Sequence, residues 1–94
     1  MELRHLRYFV AVADAGSLTV AAEESLHTSQ PSLSRQIRDL EDEVGAQLLT
    51  RSTHGIELTP AGRAFLDHAR LVLAQVAAAG KQPAASPIPR SQAL

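Results

Sequence analysis

Residues 28–45, Thr-Ser-Gln-Pro-Ser-Leu-Ser-Arg-Gln-Ile-Arg-Asp-Leu-Glu-Asp-Glu-Val-Gly, decide the reading of this chain. Ser29 is a natural helix N-cap, because its hydroxyl can accept a bond from a first-turn amide that otherwise has no partner. Pro31 falls in the first turn, where a missing N–H costs nothing. Gly45 supplies the stop. At about 100° per residue, Leu33, Ile37, Leu40 and Val44 share one face. The opposite strip carries Pro31, Arg35, Arg38 and Asp42, with Gln30 and Ser34 flanking its first half. The early turns therefore present Ser, Gln and Arg with no acid among them. Such side chains can bond base edges and phosphates in a DNA major groove.

The residues before this helix sharpen the pattern. A first helix has an apolar face of Leu3, Leu6, Phe9, Val10 and Ala13, and Gly16 closes it. Ser17 can cap a second, short helix over residues 18 to about 25. Its Ala21 and Ala22 are small enough to let another helix cross closely. His27-Thr28 makes a short polar turn into the third helix. Helix, tight turn and helix with an outward Ser/Gln/Arg strip is the helix-turn-helix layout. An ordinary helical bundle with a solvated face has the same spacing. In it, Arg35 with Asp39, or Arg38 with Asp42, are surface pairs worth roughly 0.2–0.5 kcal/mol each. Spacing alone leaves both readings open.

Further motifs separate them. Met-Glu-Leu-Arg-His-Leu-Arg-Tyr-Phe-Val-Ala-Val-Ala stands at 1–13, Gly-Ser-Leu-Thr-Val-Ala-Ala-Glu at 16–23 and Ser-Gln-Pro-Ser-Leu-Ser-Arg-Gln-Ile at 29–37. Leu-Glu-Asp-Glu-Val-Gly at 40–45 and Leu-Thr-Pro-Ala-Gly at 58–62 follow in order. In these stretches the chain resembles the N-terminal region of LysR-type transcriptional regulators, over residues 1–79. The resemblance implies a mainly α winged helix-turn-helix with a two-stranded β-hairpin wing and a long C-terminal linker helix. It implies a bacterial, cytoplasmic, nucleoid-associated transcription regulator, and a homodimer built by antiparallel pairing of linker helices. One departure is local: residues 21–27 are one longer than the usual spacing, and the extra residue can be absorbed in the turn or can shift the angle of the second helix. The other is length. Such regulators carry a large effector-binding domain after the linker helix, and this chain ends at Leu94. No effector domain and no small-molecule inducer site are expected within it.

The rest of the chain fits three segments: a DNA-binding domain over 1–59, a linker helix over 60–79 and a disordered tail over 80–94. Residues 47–53 and 56–59 read as two short strands around a His54-Gly55 turn, the wing. Thr59-Pro60 is a cap followed by a first-turn proline, and starts the long helix. Phe65, Leu66, Ala69, Leu71, Val72, Leu73, Val76 and Ala77 cover about two-thirds of its circumference, leaving a polar strip of Arg63, Asp67 and Arg70. A domain this small cannot wrap such a helix, so part of it needs a partner. The tail has three prolines, at positions 83, 87 and 89, and no periodicity, the pattern of a segment that does not pack.

Composition narrows the function classes. Ninety-four residues form one small domain, and an apolar content of 45% suffices for its core. There is no cysteine, hence no disulfide and no thiolate metal site, which is compatible with the cytosol. The apolar run at 71–79 is about half a membrane span and is broken by Gln75. Net charge is −1, but its distribution is bipolar: Arg35 and Arg38 lie in an acid-free stretch, and acids gather from Asp39 to Glu43. His5, His27, His54 and His68 form no helical pair three or four apart, so no metal is expected. No nucleophile elbow and no phosphate-binding glycine loop is present, so neither an enzyme nor a cofactor is expected.

The leading expectation is a protein that binds an inverted repeat in double-stranded DNA as a homodimer. Gln30, Ser34 and Arg35 would read bases, with Pro31 and Ser32 beside them. Ser17, Thr19, Thr28, Ser29, Arg38 and Arg51 would hold the backbone. Phe65, Leu66, Ala69, Val72, Leu73 and Val76 would form the dimer seam. The alternative is an interaction protein, a truncated regulator that pairs through its linker helix with a full-length relative.

Overall fold

The computed structural model describes residues 1–80. The expected disordered tail lies outside them from residue 81 on. Helix α1 spans Leu3–Ala15 and α2 spans Leu18–Val20, continuing as a π-helical segment, Ala21–Leu26. Helix α3 spans Gln30–Val44. Strands β1 (Leu49–Ser52) and β2 (Gly55–Leu58) form an antiparallel hairpin, and α4 runs over Pro60–Gly80.

Local signals set the helix ends. The Val20 amide donates to the Ser17 hydroxyl and the Ser32 amide to the Ser29 hydroxyl, both at 3.2 Å. Gly16 and Gly45 end α1 and α3 in the left-handed region, with φ of 69° and 80°. That region is costly for residues with a Cβ. The extra residue at 21–27 is taken up inside the helix, as a π-helical segment, and not in the turn. A π turn closes on the fifth residue instead of the fourth, so it takes up one residue without breaking the helix. The helix then stops at His27, which has a positive φ of 52°.

The core is a single cluster of Phe9, Val12, Leu33, Ile37, Leu40 and Leu48, with Ala21 and Ala22 allowing close packing beneath it. Helix α1 buries His5, Leu6, Phe9 and Val12. Its inward face is rotated from the expected one: Leu3 is exposed, and Val10 and Ala13 are only half-buried. The face is set jointly by α3 and α4, both of which pack against α1. Val44 also departs from its expected burial, because it lies in the last turn of α3, past the core, and is exposed.

Leu48 organises the second half of the fold. The Glu41 carboxylate accepts from the Leu48 amide at 2.7 Å and the Leu49 amide at 3.3 Å. The Leu48 carbonyl accepts from the Thr59 amide at 3.0 Å. The Thr59 hydroxyl donates to the Gln47 carbonyl at 2.6 Å and caps α4 by accepting from Gly62 at 2.9 Å. Gly62 lies so close to the Leu48 carbonyl that any Cβ there would overlap it. Helix α4 then crosses α1, with the Phe9 and Phe65 rings meeting edge to face at 5.3 Å.

The hairpin is shorter than its expected strands, and its turn is Thr53-His54, not His54-Gly55. Gly55 belongs to β2, opposite Ser52. It sits at φ 120° where a Cβ would strike the Gly16 carbonyl, and the Ile56 amide donates to that same carbonyl at 3.2 Å. The wing is thereby docked on the turn between α1 and α2.

Candidate nucleic-acid interface

Helix α3 presents Pro31, Arg35 and Arg38 to solvent, and Gln30 and Ser32 are half-buried at its start. Ser34 does not join this strip. Its residue is 8% exposed, and its hydroxyl accepts a hydrogen bond from the Arg51 guanidinium. The expected base reader is therefore held inward, where the wing strand meets the helix. Arg51 remains largely exposed, and a guanidinium has five N–H donors, so the contact leaves others free for an anion.

Four expected contact residues converge. Ser17, Thr19, Gln30 and Arg51 line one open cleft of about 440 Å³ between the start of α2, the start of α3 and the wing. No acid lines it. Ser17 uses a lone pair in capping α2, which leaves its O–H free to donate. Ser29 stands in the same relation to α3. Thr28, Ser29, Arg35 and Arg38 lie outside the cleft lining, on or beside the exposed strip of α3. The wing tip, Ser52-Thr53-His54-Gly55, also lines the cleft; the sequence places these residues at the tip but, with no Lys or Arg among them, marks none as a contact.

Two of the acids in the second half of α3 are engaged elsewhere. Glu41 is spent on the Leu48 and Leu49 amides. Glu43, at the far end of α3, pairs with the Met1 α-amino group at 2.5 Å, and that hydrogen bond holds its carboxyl below the ordinary range.

The expected dimer seam divides in two. Phe65 and Leu66 pack against the protomer's own core, and Ala69 is 2% exposed against it, so these three serve the fold of a single chain. Leu73 is half-buried and lines a groove with Arg7, Val10, Asp14 and Val20. Val72 and Val76, each 41% exposed, and Leu71 at 60% are the large apolar residues of α4 left facing solvent. The first half of α4 lies along α1 and the second half has less of the domain to cover it. Arg70 ties the crossing with a 2.6 Å ion pair to Asp14, which solvent screens.

The geometry is that of a winged helix-turn-helix, and residues 3–63 match the bacterial regulatory helix-turn-helix proteins of the lysR family. The chain belongs to the LysR family. It is 55% identical over 76 residues to the HTH-type transcriptional regulator TfdT of Cupriavidus pinatubonensis, covering 81% of this chain and 33% of that protein. It is 63% identical over 75 residues to the Hca operon transcriptional activator HcaR of Escherichia coli, covering 80% of this chain and 25% of that one. A crystal structure of a CbnR DBD–DNA complex superimposes with a TM-score of 0.83 at 50% identity, covering 87% of this chain and 93% of that one. A BenM DBD/catB site 1 DNA complex gives 0.76 at 51% identity, over 81% and 84% of the two chains. The chain thus spans a quarter to a third of the length of these LysR relatives. Among the described residues, no helix is long and apolar enough to cross a membrane, and no three His, Asp or Glu residues gather as a metal site.

Proposed function

We propose that this chain acts as the DNA-binding portion of a LysR-type transcription regulator and binds an inverted repeat in duplex DNA as a dimer. The observation that carries the reading is the exposed Pro31, Arg35 and Arg38 strip of α3, set beside an acid-free cleft lined by Ser17, Thr19, Gln30 and Arg51. An interaction-only protein has no physical use for that strip. The N-terminal half of α3 enters the major groove, where Gln30 and Arg35 reach base edges and Pro31 and Ser32 pack against sugar or thymine methyl groups. Ser34 acts through Arg51 rather than on a base. Ser17, Thr19, Thr28, Ser29, Arg38 and Arg51 hold phosphates on either side. Two protomers join through Val72 and Val76 of antiparallel α4 helices, with Leu73 at the edge of the seam. The cationic side chains at this surface are Arg35, Arg38 and Arg51, so each protomer holds DNA modestly and the pair supplies the affinity. A gel-shift titration against random and palindromic duplexes tests the reading. Retardation of the palindrome well before random DNA supports it, and no retardation of either refutes it.

A further inference from the structure

The wing turn places His54 and Thr53 in the same cleft as Ser17, Thr19, Gln30 and Arg51. Every one of these side chains can donate a hydrogen bond, and a protonated imidazole at His54 adds a second donor and a positive charge. We propose that this cleft seats a phosphodiester of the bound DNA, and that His54 is its proton-dependent cation. The proposal rests on the DNA-binding reading above.

Three observations support it. The turn that tips the wing, Thr53-His54, contains no Lys or Arg, so among the described residues Arg51 is the only permanent charge lining the cleft. Second, no carboxylate competes for the imidazole. On the hairpin, Arg51 pairs with Ile56 on the cleft side, whereas Glu57 pairs with Thr50, one residue along and so on the opposite face. From the start of α2 the cleft receives Ser17, Leu18 and Thr19, and from α3 Gln30, all uncharged. Third, the cleft cannot drift relative to α2, because β2 is fastened to the Gly16 carbonyl by the Ile56 amide and by the tight approach of Gly55. A wing anchored in this way sets the distance between His54 and the hydroxyls of Ser17 and Thr19.

The consequence is linkage. A phosphate in the cleft interacts favourably with the imidazolium and far less with neutral imidazole, so binding DNA takes up a proton. Histidine changes charge between about pH 5 and 8. Affinity for DNA is therefore greatest at the acidic end of that window and declines as pH rises through it. The effect is on phosphate contact, so it holds for any sequence.

The test uses the full chain, a labelled random-sequence duplex and fluorescence anisotropy at constant low salt. Wild type loses roughly threefold to tenfold in affinity across the imidazole window, the scale of one phosphate contact. His54→Gln removes that dependence and matches wild type at high pH. His54→Lys binds tightly throughout and steepens the salt dependence by about one ion per protomer. His27→Gln, at an exposed histidine outside the cleft, keeps the wild-type profile. A His54→Gln protein that retains the wild-type pH profile overturns the proposal, and so does a wild type that binds DNA equally across the window. A wild type that binds no duplex at any pH overturns the DNA-binding reading itself. Inorganic phosphate alone is the second probe. If it shifts the His54 imidazole resonances while duplex leaves them unmoved, the seat is for a free anion and not for the DNA backbone.

Discussion

The Arg51 guanidinium donates to the Ser34 hydroxyl and so joins the wing to the recognition helix across 17 residues of sequence. The contact places a strand cation against the buried side of a helix whose outer side is the proposed DNA-facing one. It couples the angle of the wing to the seating of α3. Arg51→Ala is expected to weaken DNA binding and flatten its salt dependence, because a phosphate contact is lost as well. Ser34→Ala should weaken binding without changing the salt slope, since the serine positions Arg51 and touches no phosphate. A double-mutant cycle on affinity should return a coupling of about 0.5–3 kcal/mol, the range for residues in contact. Additive effects would show that the bond plays no part in binding.

Arg35 and Arg38 lie three residues apart on the same exposed strip, but at different depths along the helix. Arg35, one turn inside the N-terminus, is placed for the groove floor. Arg35→Ala should cost about 1–3 kcal/mol on a specific site and relax preference at one base per half-site. Arg38→Ala should weaken all sequences alike and make the salt dependence shallower. Binding-site selection on both variants separates the roles, and a uniform loss for Arg35→Ala would reassign it to the backbone.

Glu41 and Gly62 both meet the Leu48 backbone, Glu41 at its amide and Gly62 at its carbonyl. Glu41→Ala removes the acceptor for the Leu48 and Leu49 amides, and each amide left unpaired away from water costs about 1–3 kcal/mol. Glu41→Gln keeps one oxygen and should recover much of the loss. Gly62→Ala forces a methyl group into the Leu48 carbonyl and should destabilise by at least the ~1–3 kcal/mol typical of overpacking. Urea denaturation measures all three, and a Gly62→Ala protein as stable as wild type would mean that α4 sits elsewhere.

These contacts mark what the sequence made legible. Ser17, Ser29, Gly16, Gly45 and Thr59-Pro60 act on neighbours within a turn, so their residue types alone announced the helix ends. Pro31, Arg35 and Arg38 followed from helical periodicity. The Glu41 bond to Leu48, the Arg51 bond to Ser34 and the approach of Gly55 to Gly16 each join segments that only the fold brings together. No local pattern encodes them. Ser34 was placed on the exposed flank because periodicity gives an angle around the helix and says nothing of the strand that covers it. The π turn escaped for a related reason: the surplus residue was visible, but a helix and a turn can each absorb it.

The seam on α4 can be tested without damage to the protomer. Val72 and Val76 are half-exposed, whereas Leu73 also touches the protomer's own groove beside Val10 and Val20. Val72→Glu with Val76→Glu should therefore yield a monomer with an intact domain, and Leu73→Glu should cost stability as well. Sedimentation of wild type as a monomer at tens of micromolar, roughly where modest apolar interfaces already associate, would count against the seam.

The proposed dimer and its DNA are linked through symmetry. Two wing-and-helix units related by a two-fold axis present the same residues to two half-sites in opposite orientation, so the matching DNA is an inverted repeat. One unit, with Arg35, Arg38 and Arg51 near phosphates, should hold DNA at the non-specific level of roughly 10⁻⁴–10⁻⁶ M at physiological salt. Joining two units makes the second contact intramolecular and raises its effective concentration, so a palindrome should bind far more tightly than a half-site. The Val72→Glu, Val76→Glu protein should lose that advantage and bind palindrome and half-site alike. Footprinting of the 94-residue chain should show one short protected inverted repeat. Equal wild-type affinity for half-site and palindrome would instead identify a monomeric binder, in which the apolar surface of α4 serves some purpose other than pairing on DNA.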